Sequence, residues 1–546
     1  MKKYIIFITA AVAALSVSCT AILDSEVQLG ALGSEAYYAN ATDNDALALI
    51  TSLYISAEGN MGGMDSYTDD IASPSSYQDV NADGFSGGLS LGTLYQINYK
   101  ANLIIENLPD NSAEKKRVIA EAYFFRGWAY FNLIRGWGTP PLVDHVLGSD
   151  ELKPENGKPE ELWKYVQTSF DKAIENLPSK SSLGSQAALG ARVTREVALA
   201  YKGKSYLYAG DKASAATALK EIIDSNKYAL FPDFTRLYTV AADFCDEYMW
   251  EYNANDAIED MRATEARYTY QGNWRSENVI MPGGSHLTGY VAGFSTTAPS
   301  ANFYKFLQDR GEVGTPRQRG TVWSIEEAAN MFITLSGDEY KGTPNYEGDN
   351  LAAYVAKGLT PYQAAFTLLW ADFAKPELAS NEGYLQAKFY MWHSDMYTAT
   401  AGNDMYSKAN RPVLRYSDVL LMYAEATVDS QAGLSALNAV RNRAGLASLG
   451  SYTLKDVQDE RRAEFWNEGE RWFDCVRWGI AKETFTAAGV GTRIHATIAD
   501  KTSYTYTVTD EEQTNYRGWS DKYLLFPYPT SELAQNENLK PNPGWE

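Results

Sequence analysis

The sequence predicts a mainly α-helical protein, in which a helical-hairpin repeat scaffold holds an inserted, loop-rich, irregular lobe containing short strands. Three observations predict this. Apolar residues recur at helical spacing across residues 41–228 and again across 411–546. The region between them, 229–410, is rich in Gly, Pro, Tyr, Trp and Asn and has few helical runs. One helix–turn–helix pattern occurs once in each flanking part.

The N-terminus reads as an address. Lys2 and Lys3 precede an apolar stretch over 4–17, too short to span a bilayer and suited to the core of a signal peptide. Small residues then lead to Cys19, the layout of a lipoprotein cleavage site with Cys19 as the lipid-bearing first residue. Residues 1–18 form the signal peptide and 19–40 the lipidated cysteine and its tether. Two cysteines remain, Cys245 and Cys475, too few for a disulfide scaffold or a multi-cysteine zinc site. Cys475 lies in an apolar helical pattern and reads as a buried small hydrophobe.

The helices follow in order. Thr42 is placed to cap a helix reaching about residue 57. Leu94, Ile97, Ala101, Ile104, Ile105 and Leu108 repeat at helical spacing, and Pro109 stops them. A long aromatic-rich helix over 113–137 ends at glycines and the Pro140-Pro141 pair. Amphipathic helices follow over 160–177 and 194–209. Leu207 to Asp211, then Ala216, Leu219 and Ile222, resembles a tetratricopeptide-like repeat, and Met422 to Ala426 followed by Ala436 to Val440 resembles it too. Helical patterns run over 413–430, 434–444 and 453–467, with shorter ones over 325–335 and 361–373. The tail over 524–545 reads as proline-rich and extended.

The chain carries 69 acidic residues against 48 basic ones, a net charge of −21 that repels phosphate backbones and argues against nucleic-acid binding. Its aromatic content is 13%, mostly tyrosine, which suits interfaces and sugar rings. Acid–arginine clusters lie at Glu460, Arg461, Arg462, Glu464 and at Glu470, Arg471, Asp474, Arg477. Paired carboxylates suggest a glycosidase, yet each acid has an arginine within helical reach. Such ion pairs lower carboxylate pKa values, whereas a general acid needs them raised, so these clusters read as structural. Gly88 to Gly92 fits G-x-S-x-G, but a turn precedes it where a hydrolase needs a strand. No Walker, dinucleotide or H-E-x-x-H motif occurs, so no organic cofactor is expected. Asp79, Asn81 and Asp83 followed by Gly84 match the start of a calcium loop, while position twelve is Ser90 instead of a glutamate. The same residues also suit a polar turn bonding its own backbone.

Several segments resemble the SusD/RagB family of outer-membrane nutrient-uptake lipoproteins of Bacteroidota. They are 94–109, Ala120 to Gly127 through Arg135 to Val143, Arg415 to Ala426, Leu437 to Gly445, Glu460 to Asp474, and Leu525 to Pro529 with Asn542 to Trp545. The resemblance implies four tetratricopeptide-like helical pairs supporting a variable lobe, and anchorage in the outer membrane facing outward. It implies a TonB-dependent, SusC-like transporter as partner, an oligosaccharide as usual cargo, and no catalysis. Some relatives bind peptides, so a peptide or protein receptor on the same scaffold is the alternative, followed by a lipid-anchored glycoside hydrolase. Sugar rings pack on aromatic faces while their hydroxyls seek amides, acids and arginines. The candidate contacts are accordingly Tyr67, Asp69, Asp70, Tyr77, Phe85, Asn273, Trp274, Tyr290, Arg319 and Trp323.

Overall fold

In the computed structural model the described residues are 34–60, 63–72, 88–183, 192–253, 299–324, 351–361, 384–389, 409–500, 503–514 and 518–546, with single positions between. Cys19 and the segments carrying Tyr77, Asp79, Asn81, Asp83, Asn273, Trp274 and Tyr290 lie outside them. So does most of the two short helical patterns over 325–335 and 361–373.

The helices of the scaffold start where short polar side chains cap them. Thr42 and Asp45 form a capping box at the start of Asp43–Glu58. Ser90 caps Leu91–Asn107, Ser112 caps Ala113–Trp137, Thr194 caps Arg195–Tyr208 and Asp211 caps Lys212–Asp224. Ser90, the serine of the G-x-S-x-G match, is therefore a helix cap, with its hydroxyl accepting from the Thr93 N–H. Successive helices pack as hairpins, each on the next: Leu91–Asn107 on Ala113–Trp137, that helix on Pro159–Asn176, and Arg195–Tyr208 on Lys212–Asp224. Lys212–Asp224 then packs directly on Tyr416–Ala426, which pairs with Gln431–Arg443. The two helical parts thus join across the long stretch between them.

Close crossings need residues without side chains. A Cβ on Gly127 would sit 2.9 Å from the Phe170 ring, and one on Gly203 would sit 2.7 Å from Leu219 Cγ. The core is aromatic at its centre. Trp250 is 1% exposed and its ring lies 5.5 Å from Phe124 and 6.4 Å from Trp128, centroid to centroid.

Trp250 belongs to a strand, Tyr248–Tyr252, paired antiparallel with Arg411–Arg415. The helical pattern expected from residue 413 therefore begins only at Tyr416, since three of its residues belong to this strand. The reason is the partner: Arg415 faces Tyr248 in register, and the Tyr416 N–H donates to Glu247 O at 2.8 Å. Val322–Ser324 pairs with Tyr384–Gln386. A long hairpin, Ala488–Asp500 with Ser503–Thr514, has no counterpart in the sequence reading, although its second strand alternates threonine with tyrosine and valine. The tail also holds a helical turn pair, Thr530–Gln535, within an otherwise extended path.

Replacing Gly203 by valine drives a branched side chain into Leu219. The expected cost is about 1–3 kcal/mol, read as a lowered urea midpoint with an unchanged slope.

Candidate functional site

One short helix organises the seam between scaffold and lobe. Leu454–Glu464 starts at a Thr453/Asp456 capping box, where the Thr453 N–H donates to Asp456 Oδ2 at 2.8 Å. Glu460, Arg461 and Glu464 on this hub helix are fully buried. Buried charges need partners on every side, and each has them.

On the Glu460 side, Arg317 donates to Glu460 Oε1 at 2.5 Å and grips Glu312 with two bonds of 2.8 and 3.0 Å. Arg310 and Arg441 also donate to Glu460, at 2.6 and 3.0 Å. Glu464 accepts from Arg415 at 2.9 Å and from Arg443, and both arginines also hold Glu247, at 2.7 and 2.6 Å. On the Arg461 side, the guanidinium reaches Asp474 at 2.7 Å and Asp418 at 2.6 Å. Lys204 completes that group with bonds to Asp418 at 3.2 Å and Glu470 at 2.8 Å.

The electrostatic balance is plain. Burial pushes the Glu464 carboxyl up, but Arg443, Arg415 and Arg317 together hold it well below the usual carboxylate range. Burial likewise opposes, and Lys204 with Arg461 outweighs it, at Asp418. These two acids stay ionised and are poor proton donors, although the cations that hold Glu464 so come from distant segments and not from the helical spacing the sequence suggested.

Beyond the hub helix, Arg462 and Arg471 take the pair Asp69 and Asp70. Arg462 donates to Asp70 at 2.5 Å and to Asp69 at 2.9 Å, and Arg471 to Asp69 at 3.0 Å. The backbone of the same two residues is also used. Ser300 Oγ donates to Asp69 O at 3.0 Å, the Ser300 N–H to Asp70 O at 2.9 Å, and Trp466 Nε1 to Asp70 O at 3.2 Å. Ile71 bridges to Pro299. A small core fills in behind: Phe303 stacks on Trp466 at 5.6 Å and Tyr304 on Tyr384 at 4.5 Å. Lys388 locks the returning segment, donating to Glu464 O at 2.9 Å, Trp466 O at 3.0 Å and the Glu468 carboxylate.

The candidate contacts divide accordingly. Asp69 and Asp70 were expected at a sugar-binding rim, but both are buried and committed to arginines. Tyr67 and Phe85 were expected to offer ring faces. The 3₁₀ turn Asp65–Tyr67 aims Tyr67 inward, where the two rings meet at 5.0 Å and Phe85 packs on Trp472 and Phe526. Trp323 is 8% exposed, with its strand paired and its Nε1 donating to Arg319 O at 2.7 Å. Arg319 is exposed at the end of Pro316–Arg319. Among the described residues, no cluster of three or more His, Cys, Asp or Glu is arranged for a metal. Cys475 is buried as expected, and burial pushes its thiol up to about 12. Sequence reasoning missed Glu247, Glu312, Arg317 and Lys388 as members of the seam. Glu247 lies 168 residues from Arg415, Arg317 143 from Glu460 and Lys388 76 from Glu464, so no local spacing signals their places in the seam.

Two family models match the chain: the SusD family over residues 245–545, and "Starch-binding associating with outer membrane" over 20–207. A SusD-like protein of Bacteroides ovatus is 24% identical over 79% of this chain and 75% of its own length. The starch-binding protein SusD of Bacteroides thetaiotaomicron is 23% identical over 80% of this chain and 74% of its own. Among solved structures, a laminarin-binding SusD-like protein superposes with a TM-score of 0.64 at 22% identity, covering 92% of this chain and 99% of that one. Surface glycan-binding protein A of Bacteroides thetaiotaomicron, in complex with laminarihexaose, does so with a TM-score of 0.63 at 18% identity, covering 92% and 99%.

Replacing Arg461 by alanine takes one of two cationic partners from each of Asp418 and Asp474, leaving them Lys204 and Arg477 in the interior. The expected loss is about 3–5 kcal/mol of unfolding free energy in urea, far above that of an exposed ion pair.

Proposed function

The chain belongs to the SusD family, and from that premise we propose that it is a cell-surface glycan-binding lipoprotein. It is anchored to the outer membrane through Cys19, captures oligosaccharide outside the cell and delivers it to a SusC-like TonB-dependent transporter. It binds without cleaving. The observation that carries this reading is the commitment of the hub-helix acids to arginines. A seam so paired suits a rigid base for loops and not proton transfer. The starch- and laminarin-binding relatives supply the ligand class.

Aromatic planes take the C–H face of a sugar ring while amides and guanidinium groups take its hydroxyls. We assign these roles to Tyr77, Asn273, Trp274, Tyr290 and Arg319. Tyr67, Phe85 and Trp323 are assigned to packing, and Asp69 and Asp70 to positioning the segment that carries them. An open site of this kind gives modest affinity, because most of the gain from contact is spent on ordering and desolvation.

Residues 20–546, without the lipid, should bind a β- or α-glucan and return it intact from the same wells. Trp274→Ala should weaken binding by about tenfold, about 1.4 kcal/mol, at unchanged thermal stability. Parallel wells with calcium and with chelator test Asp79, Asn81 and Asp83 as calcium ligands. Cleaved product, or binding to peptide pools with no response to any glycan, would overturn the reading.

A further inference from the structure

The buried acids of the described structure follow one rule with two exceptions. Asp69, Asp70, Glu121, Glu196, Glu247, Glu312, Asp418, Glu425, Glu460, Glu464 and Asp474 each meet an arginine or lysine within ion-pair distance. Asp65 and Glu251 are equally buried, at 8% and 2% exposure, and neither has such a cation among the described residues.

Both sit where a segment ties onto the scaffold. Asp65 heads the 63–72 segment, and the Gly469 backbone amide faces its carboxyl. That seam is tight: a Cβ on Gly63 would lie 2.9 Å from Gly469 Cα. The charged groups facing Asp65 are Glu470, Asp70 and Lys388. Lys388 has its ammonium hydrogens committed to Glu464 O, Trp466 O and Glu468. Glu251 lies in the strand pair by which the chain leaves the first helical part and returns to the second. Its donors are neutral amides, Asn410 Nδ2 at 2.9 Å and the Phe244 N–H at 3.1 Å. Asp243 takes the Asn410 N–H at 2.8 Å, so two carboxyl groups hold one asparagine. Lys180 and the Cys245 thiol also face Glu251, and Arg411 stands opposite the next strand residue, Tyr252.

We propose that Asp65 and Glu251 are a pair of proton-operated latches. In the protonated state they hold the 63–72 segment and the 248–252/411–415 strand pair against the scaffold. In the ionised state each buries an uncompensated charge, and its segment opens more often.

Burial without a cation is the physical cause, and it pushes both carboxyls up to about 7. The sign follows. A carboxyl that binds its proton more tightly when closed lends stability that is full below its open-chain value near 4 and is lost as pH rises to about 7.

The test is amide hydrogen exchange in the full chain, corrected for the intrinsic chemical rate. Protection of residues 63–72 and of the strand pair should fall by about tenfold per pH unit between about pH 5 and 7 and level off above. Asp65→Asn should flatten the slope in the first segment alone, and Glu251→Gln in the second alone. Protection independent of pH in the wild type, or a slope surviving both substitutions, overturns the proposal. Should a variant not fold, the infrared carbonyl band of a protonated carboxylic acid in the wild type at about pH 6 decides, and its absence overturns the proposal. The readouts need no glycan, so they stand or fall apart from the proposed function.

Discussion

Arg461 and Glu464 cannot exist in the interior of this protein without the residues that surround them. Each is a full charge removed from water, and each is met by at least two partners drawn from distant parts of the chain. A buried network of this kind is costly to assemble and far more costly to leave incomplete. The rest of the architecture follows from that asymmetry. The strand Arg411–Arg415 must deliver Arg415, Gln431–Arg443 must deliver Arg443, and the segment from Arg310 into the short helix Pro316–Arg319 must deliver Arg310 and Arg317. The hub helix is thereby fixed between scaffold and lobe. The same constraint reaches the 63–72 segment through Arg462 and Arg471.

The arrangement separates two tasks. Helical hairpins, closed at glycine crossings and centred on Trp250, supply rigidity. Segments pinned along the seam carry the loops, where sequence is free to change without disturbing a core. A binding protein gains from this division. Loops anchored at both ends on a rigid frame lose less freedom when a ligand orders them.

The helical scaffold was legible because its signals are local. Thr42 caps its helix where the polar-before-apolar pattern places it, and Gly138 follows the end of Ala113–Trp137 with a φ of 72°. The acid–arginine clusters were legible as structural, but through the wrong partners: of the pairs expected at helical spacing Arg477 with Asp474 forms, while Glu460 and Glu464 pair instead with Arg317, Arg415, Arg441 and Arg443. What escaped is non-local. Arg415 continues an apolar run that reads as helix, and only its pairing with Tyr248 makes it a strand end. Tyr67, Phe85 and Trp323 look like exposed loop aromatics until a turn and a strand pair aim them inward. Asp69 and Asp70 read as a polar rim because Arg462 lies 392 residues away from Asp70 in the chain.

The central claim is that the arginines around the hub helix hold the 63–72 segment in place. A double-mutant cycle between Arg462→Met and Asp70→Asn, followed by urea unfolding, tests it most directly. The account predicts a coupling of about 1–3 kcal/mol, with the double variant less destabilised than the sum of the two single changes. Strictly additive effects would contradict it, because the two residues would then contribute independently and the tie between them would hold nothing.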